Sequence, residues 1–249
     1  MNLESELSEQ VGRRALVTSG GVRVGRAISL ALGRAGYRVA VHYRSSQSDA
    51  AGTVRDLKRM GGRPVALRAD LSRPEEIERL FKEVDEQLGG LDLLVNGAAV
   101  FPRQDALDVS TADWDRVFAI NVRAPFLCCQ EAARRMPEGS SIVNITDTGA
   151  DEAWPSYVPY VASKAALASV TRGLARALAP GIRVNAVAPG PVLLPESDSS
   201  PEAERAAAGR TVLGRVGTPE DVADVVLFLD RAPYVTGEVI RVDGGHHLK

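Results

Sequence analysis

The sequence of 249 residues is poor in cysteine, and its charges nearly cancel. The only two cysteines are the neighbours Cys128 and Cys129, which cannot form a disulfide framework, so we interpret them as reduced core thiols. A redox or metal-binding pair is the alternative, but the three histidines are remote in sequence and we expect no metal. The net charge of −2 gives no basic excess that would indicate nucleic acid or an anionic membrane as a partner.

Long apolar runs are also lacking. No window of about 18 consecutive apolar residues occurs, so no membrane-spanning helix is expected. The first ten residues, MNLESELSEQ, are polar and acidic, unlike a signal peptide, and we expect a cytoplasmic protein. Apolar residues nevertheless make up 45% of the chain, which is enough for a sizeable core.

Short apolar runs alternate with helical patterns along the chain, and neither a linker nor an internal repeat divides it. This alternation predicts an α/β fold: a single domain, residues 1–249, with a doubly wound parallel sheet of seven strands and helices on both faces. Ligands of such sheets bind beyond the carboxyl ends of the strands. The predicted strands are 15–18, 38–43, 64–69, 91–96, 141–146, 183–188 and 239–242, and the predicted helices are 24–35, 47–60, 74–88, 111–136, 156–179 and 219–229.

One polar segment, residues 191–213, directly follows a predicted strand end and contains ESDSSPEAERAAAG. Because ligands bind at such strand ends, this position favours a substrate-lid loop. A surface loop with a short helix is the alternative.

The stretch ALVTSGGVRVGRAI, residues 15–28, has the pattern of a strand, a glycine-rich turn and a helix start. Its glycines at 20, 21 and 25 lack the G-x-G-x-x-G spacing of dinucleotide sites. A helix N-terminus nevertheless offers unpaired amide groups and partial positive charge to a phosphate, and glycine permits close approach. The stretch therefore predicts a phosphate-binding turn, although a purely structural turn fits it equally well when taken alone.

The end of the second predicted strand indicates which dinucleotide is bound. An NAD site usually has an acidic residue there for the ribose 2′-hydroxyl, but this chain has Arg44, Ser45 and Ser46. These side chains would bind a 2′-phosphate, and Arg23 adds a second cation inside the turn. The pattern favours NADP(H) over NAD(H); the alternative is that Arg44 merely faces solvent.

Tyr160 and Lys164 lie four residues apart, and Tyr160 follows Asp147, at a predicted strand end, by thirteen residues. Residues four apart on a helix share a face, so the ammonium is expected to lie near the phenol and to lower its pKa. Tyr160 would then be usable as an acid–base group near neutral pH. Y-x-x-x-K pairs are common on exposed helices, so the weight of this one comes from its distance to Asp147 and from the phosphate turn.

In this combination the sequence resembles the short-chain dehydrogenase/reductases, from residue 12 to the V-D-G-G at 242–245. Thr18 and Gly25 match the family's T-x(6)-G turn. Further motifs follow in order: A-D-L at 69–71, N-x-A at 96–98, I-N-V around Asn121 and V-N-A-V-A-P-G at 184–190. The resemblance implies a Rossmann-type fold, NAD(P)-dependent hydride transfer to or from a small-molecule substrate, and a homotetramer.

The resemblance also implies roles for single residues. Tyr160 would donate the proton, Lys164 would bind the nicotinamide ribose and tune Tyr160, and Asn121 would support a proton-relay water. A helix-to-strand bridge is the structural alternative for Asn121, and a strand-end cap is the alternative for Asn96. The expected cofactor-binding residues are Ser19, Arg23, Val24, Gly25, His42, Tyr43, Arg44, Ser45, Ser46, Asp70, Leu71, Asn96, Ala98, Tyr160, Lys164, Pro189, Gly190 and Val192. Of these, Asp70 and Leu71 would contact the adenine end, Asn96 and Ala98 would lie along the cofactor, and Pro189 and Gly190 would line the nicotinamide pocket.

The chain departs from the family pattern where Gly97 follows Asn96 in place of a second asparagine, and two further departures bear on the site. Ser19 replaces the first glycine of the turn, which predicts either a strained backbone at Ser19 or a turn in which Gly20 makes the close approach. Asp147 replaces the serine that usually orients the substrate. An ionised carboxylate only accepts hydrogen bonds and would repel a developing alkoxide, so it suits a substrate with N–H groups or a C=N bond.

The pteridine reductases, one branch of the family, have an aspartate at this place. The chain is similar to that branch at Arg23, His42, Tyr43, Phe101 and Tyr157. The resulting hypothesis is an NADPH-dependent reductase of a pterin or folate-like C=N bond. Its substrate-binding residues would be Arg23, Phe101, Asp147, Tyr157 and Tyr160, with core packing as the alternative for Phe101. Two other functions stay open: a reductase of another carbonyl, such as a ketoacyl thioester, sugar or quinone, and a non-catalytic NADP(H)-sensing protein.

Overall fold

Seven parallel strands form one sheet in the order β3–β2–β1–β4–β5–β6–β7 in a computed structural model, which describes residues 12–194 and 200–249. The strands are β1 Arg14–Val17, β2 Arg38–Tyr43, β3 Val65–Arg68, β4 Leu93–Asn96, β5 Ser140–Ile145, β6 Ile182–Pro189 and β7 Val239–Val242. The helices are α1 Arg23–Arg34, α2 Gln47–Arg59, α3 Pro74–Leu88, α4 Thr111–Phe118, α5 Ala124–Ala133, α6 Val158–Leu178, α7 Pro201–Gly209 and α8 Pro219–Arg231.

Alternating side chains of the central strands divide the core into two layers, one on each face of the sheet. Leu16 of β1 and Leu94 of β4 pack into one cluster, and their neighbours Val17 and Val95 pack into the other. Strands buried on both faces are typical of parallel sheets whose crossover helices cover both sides. The predicted single-domain, doubly wound α/β fold with seven strands is therefore confirmed.

The strand order places the topological switch between β1 and β4, which pair in parallel with Leu16 opposite Leu94. The chain leaves β1 toward β2 on one side, and β4 continues toward β5 on the other. The carboxyl ends of these two strands therefore border a crevice, and this is where ligands of doubly wound sheets bind. Both the glycine-rich turn after β1 and the loop after β4 open onto it.

One predicted helix differs from the observed structure. The pattern predicts a continuous helix over residues 111–136, but α4 ends at Phe118 and α5 begins at Ala124. A π-helical turn, Ala119–Arg123, separates them and contains the buried Asn121. Such turns are rare and occur frequently at functional sites, and sequence periodicity does not reveal them.

The predicted lid, residues 191–213, includes α7, and residues 195–199 of this segment lie outside the described residues. Its role over a substrate stays a prediction. Among the residues that the structure describes, no helix is both long enough and apolar enough to cross a membrane.

Candidate functional site

The phosphate turn between β1 and α1 is held in a left-handed backbone conformation at two residues. Ser19 has φ 54° and Arg23 has φ 49°, a backbone region that residues other than glycine rarely adopt. Of the two alternatives for Ser19, the structure has the strained backbone. Gly25 is required by space, because a Cβ there would lie 2.2 Å from the carbonyl oxygen of Ser19.

His42 at the end of β2 accounts for the unusual conformation of Ser19. Its Nδ1 accepts the Ser19 N–H at 3.1 Å, and its Nε2 donates to the carbonyl oxygen of Ala69 at 3.0 Å. The His42 carbonyl also accepts the Gly20 N–H at 3.0 Å. Burial lowers the pKa of His42 to about 4, so the ring is neutral and can accept at Nδ1. His42 therefore holds the turn, and it is buried in the structure.

A cleft at the carboxyl ends of β1, β2 and β4 brings many of the predicted cofactor residues together. Arg44 and Ser45 are exposed at this place, directly after β2. The predicted residues that line the cleft are Ser19, His42, Tyr43, Arg44, Ser45, Ser46, Leu71 and Ala98. Six further lining residues are not among the predicted cofactor-binding residues: Gly21, Val22, Ala69, Ala99, Val100 and Ile120.

Several other predicted cofactor residues support this cleft without lining it. The Asn96 side chain is buried and donates from Nδ2 to Asn144 Oδ1 at 2.9 Å, so it joins β4 to β5. Asp70 accepts from the hydroxyl of Ser72 at 2.7 Å, and this bond is the main cause that lowers the pKa of Asp70. Val24 is half-buried on α1 and packs against the core.

Thr18 was not predicted as a site residue, although it joins the two strands at the switch. Its Oγ1 accepts from the N–H groups of Gly97 at 2.9 Å and Ala98 at 3.0 Å. These bonds fix the loop after β4 beside the phosphate turn. A hydroxyl residue at the carboxyl end of a strand, next to a switch point, is the sequence signal that could have indicated it.

The predicted nicotinamide-end residues follow β6. A Cβ on Gly190 would lie 2.6 Å from the Cβ of Asp243, so glycine lets β6 end close to the chain after β7. Pro189 accepts from the Thr148 hydroxyl at 3.3 Å. Val192 is buried and packs in the core. The roles of these residues toward a cofactor stay predictions.

Asp147, Tyr160 and Lys164 meet at the carboxyl end of β5, as their spacing predicts. The Tyr160 hydroxyl donates to Asp147 Oδ2 at 2.6 Å, and Asp147 Oδ1 accepts from the Gly149 N–H at 2.8 Å. Lys164 Nζ donates to the carbonyl oxygen of Ile145 at 2.9 Å and lies 5.6 Å from the centre of the Tyr160 ring. One acid, one phenol and one ammonium therefore share a small, largely buried space.

The expected effect of Lys164 on Tyr160 is not what the structure gives. Burial and the neighbouring Asp147 raise the pKa of Tyr160 well above its usual value. Burial also raises the pKa of Asp147, and it lowers the pKa of Lys164 to about 8. The prediction considered the ammonium alone, whereas the hydrogen-bonded carboxylate opposes removal of the phenol proton. The Tyr160 hydroxyl is therefore held in its protonated form.

Asn121 lies in the π-helical turn and joins three segments. Its Oδ1 accepts from the Val100 N–H at 2.9 Å, and its Nδ2 donates to the Val100 carbonyl and to Ser163 Oγ, both at 3.0 Å. Ser163 in turn donates to the Tyr160 carbonyl at 2.6 Å. Asn121 thus has the bridging contacts of its structural alternative, and its support of a relay water stays a prediction.

Four aromatic rings, Phe101, Trp154, Tyr157 and Tyr160, pack against one another, and we call them the aromatic cluster. Phe101 stacks on Tyr157 with ring centres 4.3 Å apart and planes within 6°, and it meets Tyr160 edge-on at 4.4 Å. Trp154 was not predicted as a site residue. Trp154, Tyr157 and Tyr160 lie within seven residues of one another, and the fold brings Phe101 to them from a distant part of the chain.

Arg23 projects from the turn toward the segment after β6. Its Nη2 donates to the carbonyl oxygens of Leu193 at 3.4 Å and Leu194 at 3.3 Å. The side chain is therefore within reach of both the phosphate turn and the start of the predicted lid. Contact with a phosphate or a substrate stays a prediction.

Metal chemistry receives no support from this geometry. Among residues 12–194 and 200–249, no group of three or more His, Cys, Asp or Glu side chains is placed to hold a metal ion. Both cysteines are free and fully buried, and burial raises the pKa of Cys129 to about 12.

Comparison with known proteins shows the family to which the chain belongs. Residues 21–247 match the family described as enoyl-(acyl carrier protein) reductase. The chain is 35% identical over 242 residues to the 3-oxoacyl acyl-carrier-protein reductase FabG of Staphylococcus aureus, covering 95% of this chain and 98% of that protein. The chain belongs to the short-chain dehydrogenase/reductase family.

Solved structures of similar proteins hold the cofactor. A short-chain dehydrogenase of Burkholderia cenocepacia in complex with NADP superimposes with a TM-score of 0.90 at 35% identity, covering 96% of this chain and 99% of that one. A blue fluorescent protein from a metagenomic library, in complex with NADPH, gives a TM-score of 0.89 at 36% identity, covering 95% and 98%.

Proposed function

We propose that this chain is an NADPH-dependent reductase of the C=N bond in a flat heterocycle of the pterin or folate type. The observation that carries the proposal is the Asp147 carboxylate, which accepts the Tyr160 hydroxyl at 2.6 Å where the family usually has a serine. A C=N bond needs one hydride at carbon and one proton at nitrogen. A carboxyl group and a phenol in hydrogen-bond contact can hold and deliver that proton.

The cofactor part of the proposal is supported by the cleft and by the NADP and NADPH complexes of similar proteins. The cleft runs from the phosphate turn to Ala98, and Arg44, Ser45 and Ser46 line its β2 end. An arginine there pairs with a 2′-phosphate, whereas no acidic side chain occupies the position that would select NAD. When bound, NADPH supplies the hydride.

The proton chemistry follows from burial. Because burial raises the pKa of Asp147, its carboxyl group holds a proton more readily than an exposed aspartate does. In its protonated form Asp147 can donate to a ring nitrogen, and in its ionised form it accepts from a ring N–H. Lys164 lies beside both groups and keeps positive charge near them at pH values below about 8. These states suit a nitrogen heterocycle better than a carbonyl oxygen that becomes an alkoxide.

The shape of the site supports a flat substrate. Phe101 is 47% exposed, and its ring lies edge-on to Tyr160 in front of the proton-donating group. Offset stacking of a heteroaromatic ring on such a side chain contributes about 0.5–1.5 kcal/mol beyond burial. Tyr157 is stacked on Phe101 and supports its ring.

Reduction of another carbonyl, a ketoacyl thioester for example, is the second candidate. The observation that favours it is the similarity to FabG over 95% of the chain. Asp147 distinguishes the two candidates, because a developing alkoxide next to an ionised carboxylate is disfavoured.

NADPH consumption with dihydrobiopterin, dihydrofolate and an acetoacetyl thioester separates the candidates. We expect kcat/KM for the better pterin to exceed that for the thioester by at least about tenfold. Asp147→Ser is expected to lower pterin turnover by about a hundredfold while NADPH binding is retained. Turnover of the thioester alone, or undiminished pterin turnover in Asp147→Ser, would refute the pterin proposal.

We also propose that the chain assembles as a homotetramer, as the family resemblance implies. Exposed apolar side chains on helices, such as Trp114 on α4, Phe126 on α5 and Phe228 on α8, give surfaces that association would cover. Light scattering in solution is expected to give four times the chain mass of 26.5 kDa. A mass of one chain at micromolar concentration would contradict this assembly.

A further inference from the structure

We propose that Trp154 is the specificity-determining wall of the substrate site, which limits how large a ring system can reach Tyr160. The inference rests on the proposed function for its choice of substrates but concerns a residue to which neither the motifs nor the comparisons assign a role. Trp154 lies seven residues after Asp147, in the loop that leads into α6. It is half-buried.

The ring geometry makes Trp154 a boundary rather than a stacking partner. Its plane lies within 10° of the Tyr160 ring plane, and the two ring centres are 6.4 Å apart. A flat ring inserted between two parallel rings needs about 7 Å, twice the optimal carbon–carbon contact of about 3.5 Å. The gap is already too narrow, and Phe101 meets Trp154 edge-on at 6.3 Å. A substrate therefore lies beside Phe101, with Trp154 closing the space over Tyr160.

Two contacts fix the indole in this position. Its Nε1–H donates to Glu152 Oε2 at 2.7 Å. Its six-membered ring covers Gly149 so closely that a Cβ there would lie 2.7 Å from Cη2 and 2.9 Å from Cζ2 and Cζ3. The absence of a side chain at Gly149 therefore leaves the space that the Trp154 indole occupies.

Gly149 also connects the wall to the proton-donating group. Its N–H donates to Asp147 Oδ1 at 2.8 Å, so a single residue sets both the position of the carboxylate and the room for the indole. Gly149 does not have a left-handed backbone conformation, so an alanine there meets the indole without backbone strain. Gly149→Ala is thus expected to displace Trp154 while the backbone donor to Asp147 is kept.

The test compares a compact substrate with an extended one that shares its ring. Dihydrobiopterin carries a short side chain, and dihydrofolate carries a bulky aryl amide. We expect Trp154→Ala to raise the ratio of kcat/KM for dihydrofolate to kcat/KM for dihydrobiopterin by about tenfold or more, since the wall is removed. Gly149→Ala is expected to change the ratio in the same direction by a smaller factor. Trp154→Phe, which keeps a smaller ring, is expected to lie between the wild type and Trp154→Ala.

The controls separate specificity from damage to the fold. Trp114 is the only other tryptophan of the chain and stacks on Phe118 of α4, away from the aromatic cluster, so Trp114→Phe is expected to leave the ratio unchanged. In that variant tryptophan emission comes from Trp154 alone, and saturable quenching by dihydrobiopterin in the NADP⁺-loaded protein is expected. NADPH affinity is expected to stay within about twofold of wild type in every variant, because Trp154 does not line the cofactor cleft.

An unchanged ratio in both Trp154→Ala and Gly149→Ala, with measurable turnover, would overturn this proposal even if pterins are reduced. Failure of the pterin proposal would be recognised by a different result: the wild-type protein would turn over thioesters but no pterin. The ratio is then measured with a compact and an aryl-extended ketone, and the same shift is expected. If Trp154→Ala does not fold, Gly149→Ala and Trp154→Phe carry the test, and two unchanged ratios would refute it.

Discussion

The phosphate turn and the aromatic cluster serve one site but are held together in different ways. The turn is fixed by main-chain groups and a buried side chain: Ser19 donates to His42, which is only 2% exposed. The cluster consists of side chains from residues 154–160 and from Phe101, which is 47% exposed. Satisfied buried polar groups give a single rigid arrangement, whereas a partly exposed ring can move at low cost. The molecule therefore combines a rigid cofactor end with an adaptable substrate end.

The phosphate turn and the substrate end also differ in the pKa values of their titratable groups. His42 is neutral at physiological pH because burial lowers its pKa to about 4, so no charge in the turn changes there. At the substrate end the pKa of Lys164 is lowered to about 8, and the pKa values of Asp147 and Tyr160 are both raised. Clusters of titratable groups with shifted pKa values are typical of catalytic sites. Under the proposed function, the cofactor end binds NADPH and the substrate end does the proton chemistry.

Tyr160→Phe is expected to separate the two regions most strongly. It removes the proton donor and the bond to Asp147 but leaves the phosphate turn untouched. We expect kcat to fall by about a thousandfold. NADPH affinity, measured by fluorescence titration, is expected to change by less than about threefold. A kcat within tenfold of wild type would show that Tyr160 is not the donor.

Arg44→Ala tests whether the positive charge of Arg44 selects NADPH at the cofactor end. The exposed guanidinium after β2 lines the cleft, and its loss is expected to raise KM for NADPH about tenfold, or about 1.4 kcal/mol. KM for NADH is expected to stay the same, because NADH has no 2′-phosphate. Arg59→Ala, which removes another exposed arginine from the end of α2, is the matched control and is expected to change neither value. Equal effects on both cofactors would contradict selection by Arg44.

His42 tests whether the turn is rigid because its buried bonds are satisfied. His42→Leu leaves the Ser19 N–H without an acceptor, and NADPH affinity is expected to fall roughly fivefold, with a loss of stability of about 1–3 kcal/mol. His42→Asn keeps an acceptor near the Nδ1 position and is expected to recover most of both quantities. Titration calorimetry and chemical unfolding measure the two effects. Equal behaviour of the leucine and asparagine variants would show that the bond to Ser19 does not hold the turn.

The smallest expected effect is the pH response of the substrate end. Because Lys164 has a pKa of about 8 instead of 10.5, it loses its proton as the pH rises through 8. The positive charge beside Tyr160 and Asp147 is then present below pH 8 and absent above it. We expect kcat/KM for reduction to fall with increasing pH above this value, while the affinity of the NADP adenine end stays constant. A flat profile from pH 7 to about 10 would contradict the role of Lys164.

The same contrast explains how much the sequence alone reveals. The strands, the phosphate turn and the Asp147–Tyr160–Lys164 group follow from periodicity and spacing, because these features are local. The buried ring of His42, the bridge made by Thr18 and the π-helical turn at Asn121 depend on contacts between segments distant in the chain. Trp154 became a site residue only when the fold placed it beside Phe101 and Tyr160.

The prediction that the pKa of Tyr160 is lowered was wrong for a similar physical reason. The spacing to Lys164 indicates a nearby ammonium, but it does not give the burial of the phenol or its bond to Asp147. Both raise the pKa of Tyr160, and together they outweigh the ammonium. Desolvation depends on every element packed around a group, so a motif five residues long cannot predict it.

A crystal structure with NADPH and a 2,4-diaminopteridine antifolate tests the central claim most directly. We expect the pteridine ring to lie between the nicotinamide and Phe101, with a ring nitrogen or amino group within hydrogen-bond distance of Asp147. The phosphate turn is expected to keep the Ser19–His42 bond of 3.1 Å, while Phe101 changes its contact with Tyr157. An inhibitor bound away from Phe101 and Asp147, with the aromatic cluster unchanged, would contradict the account.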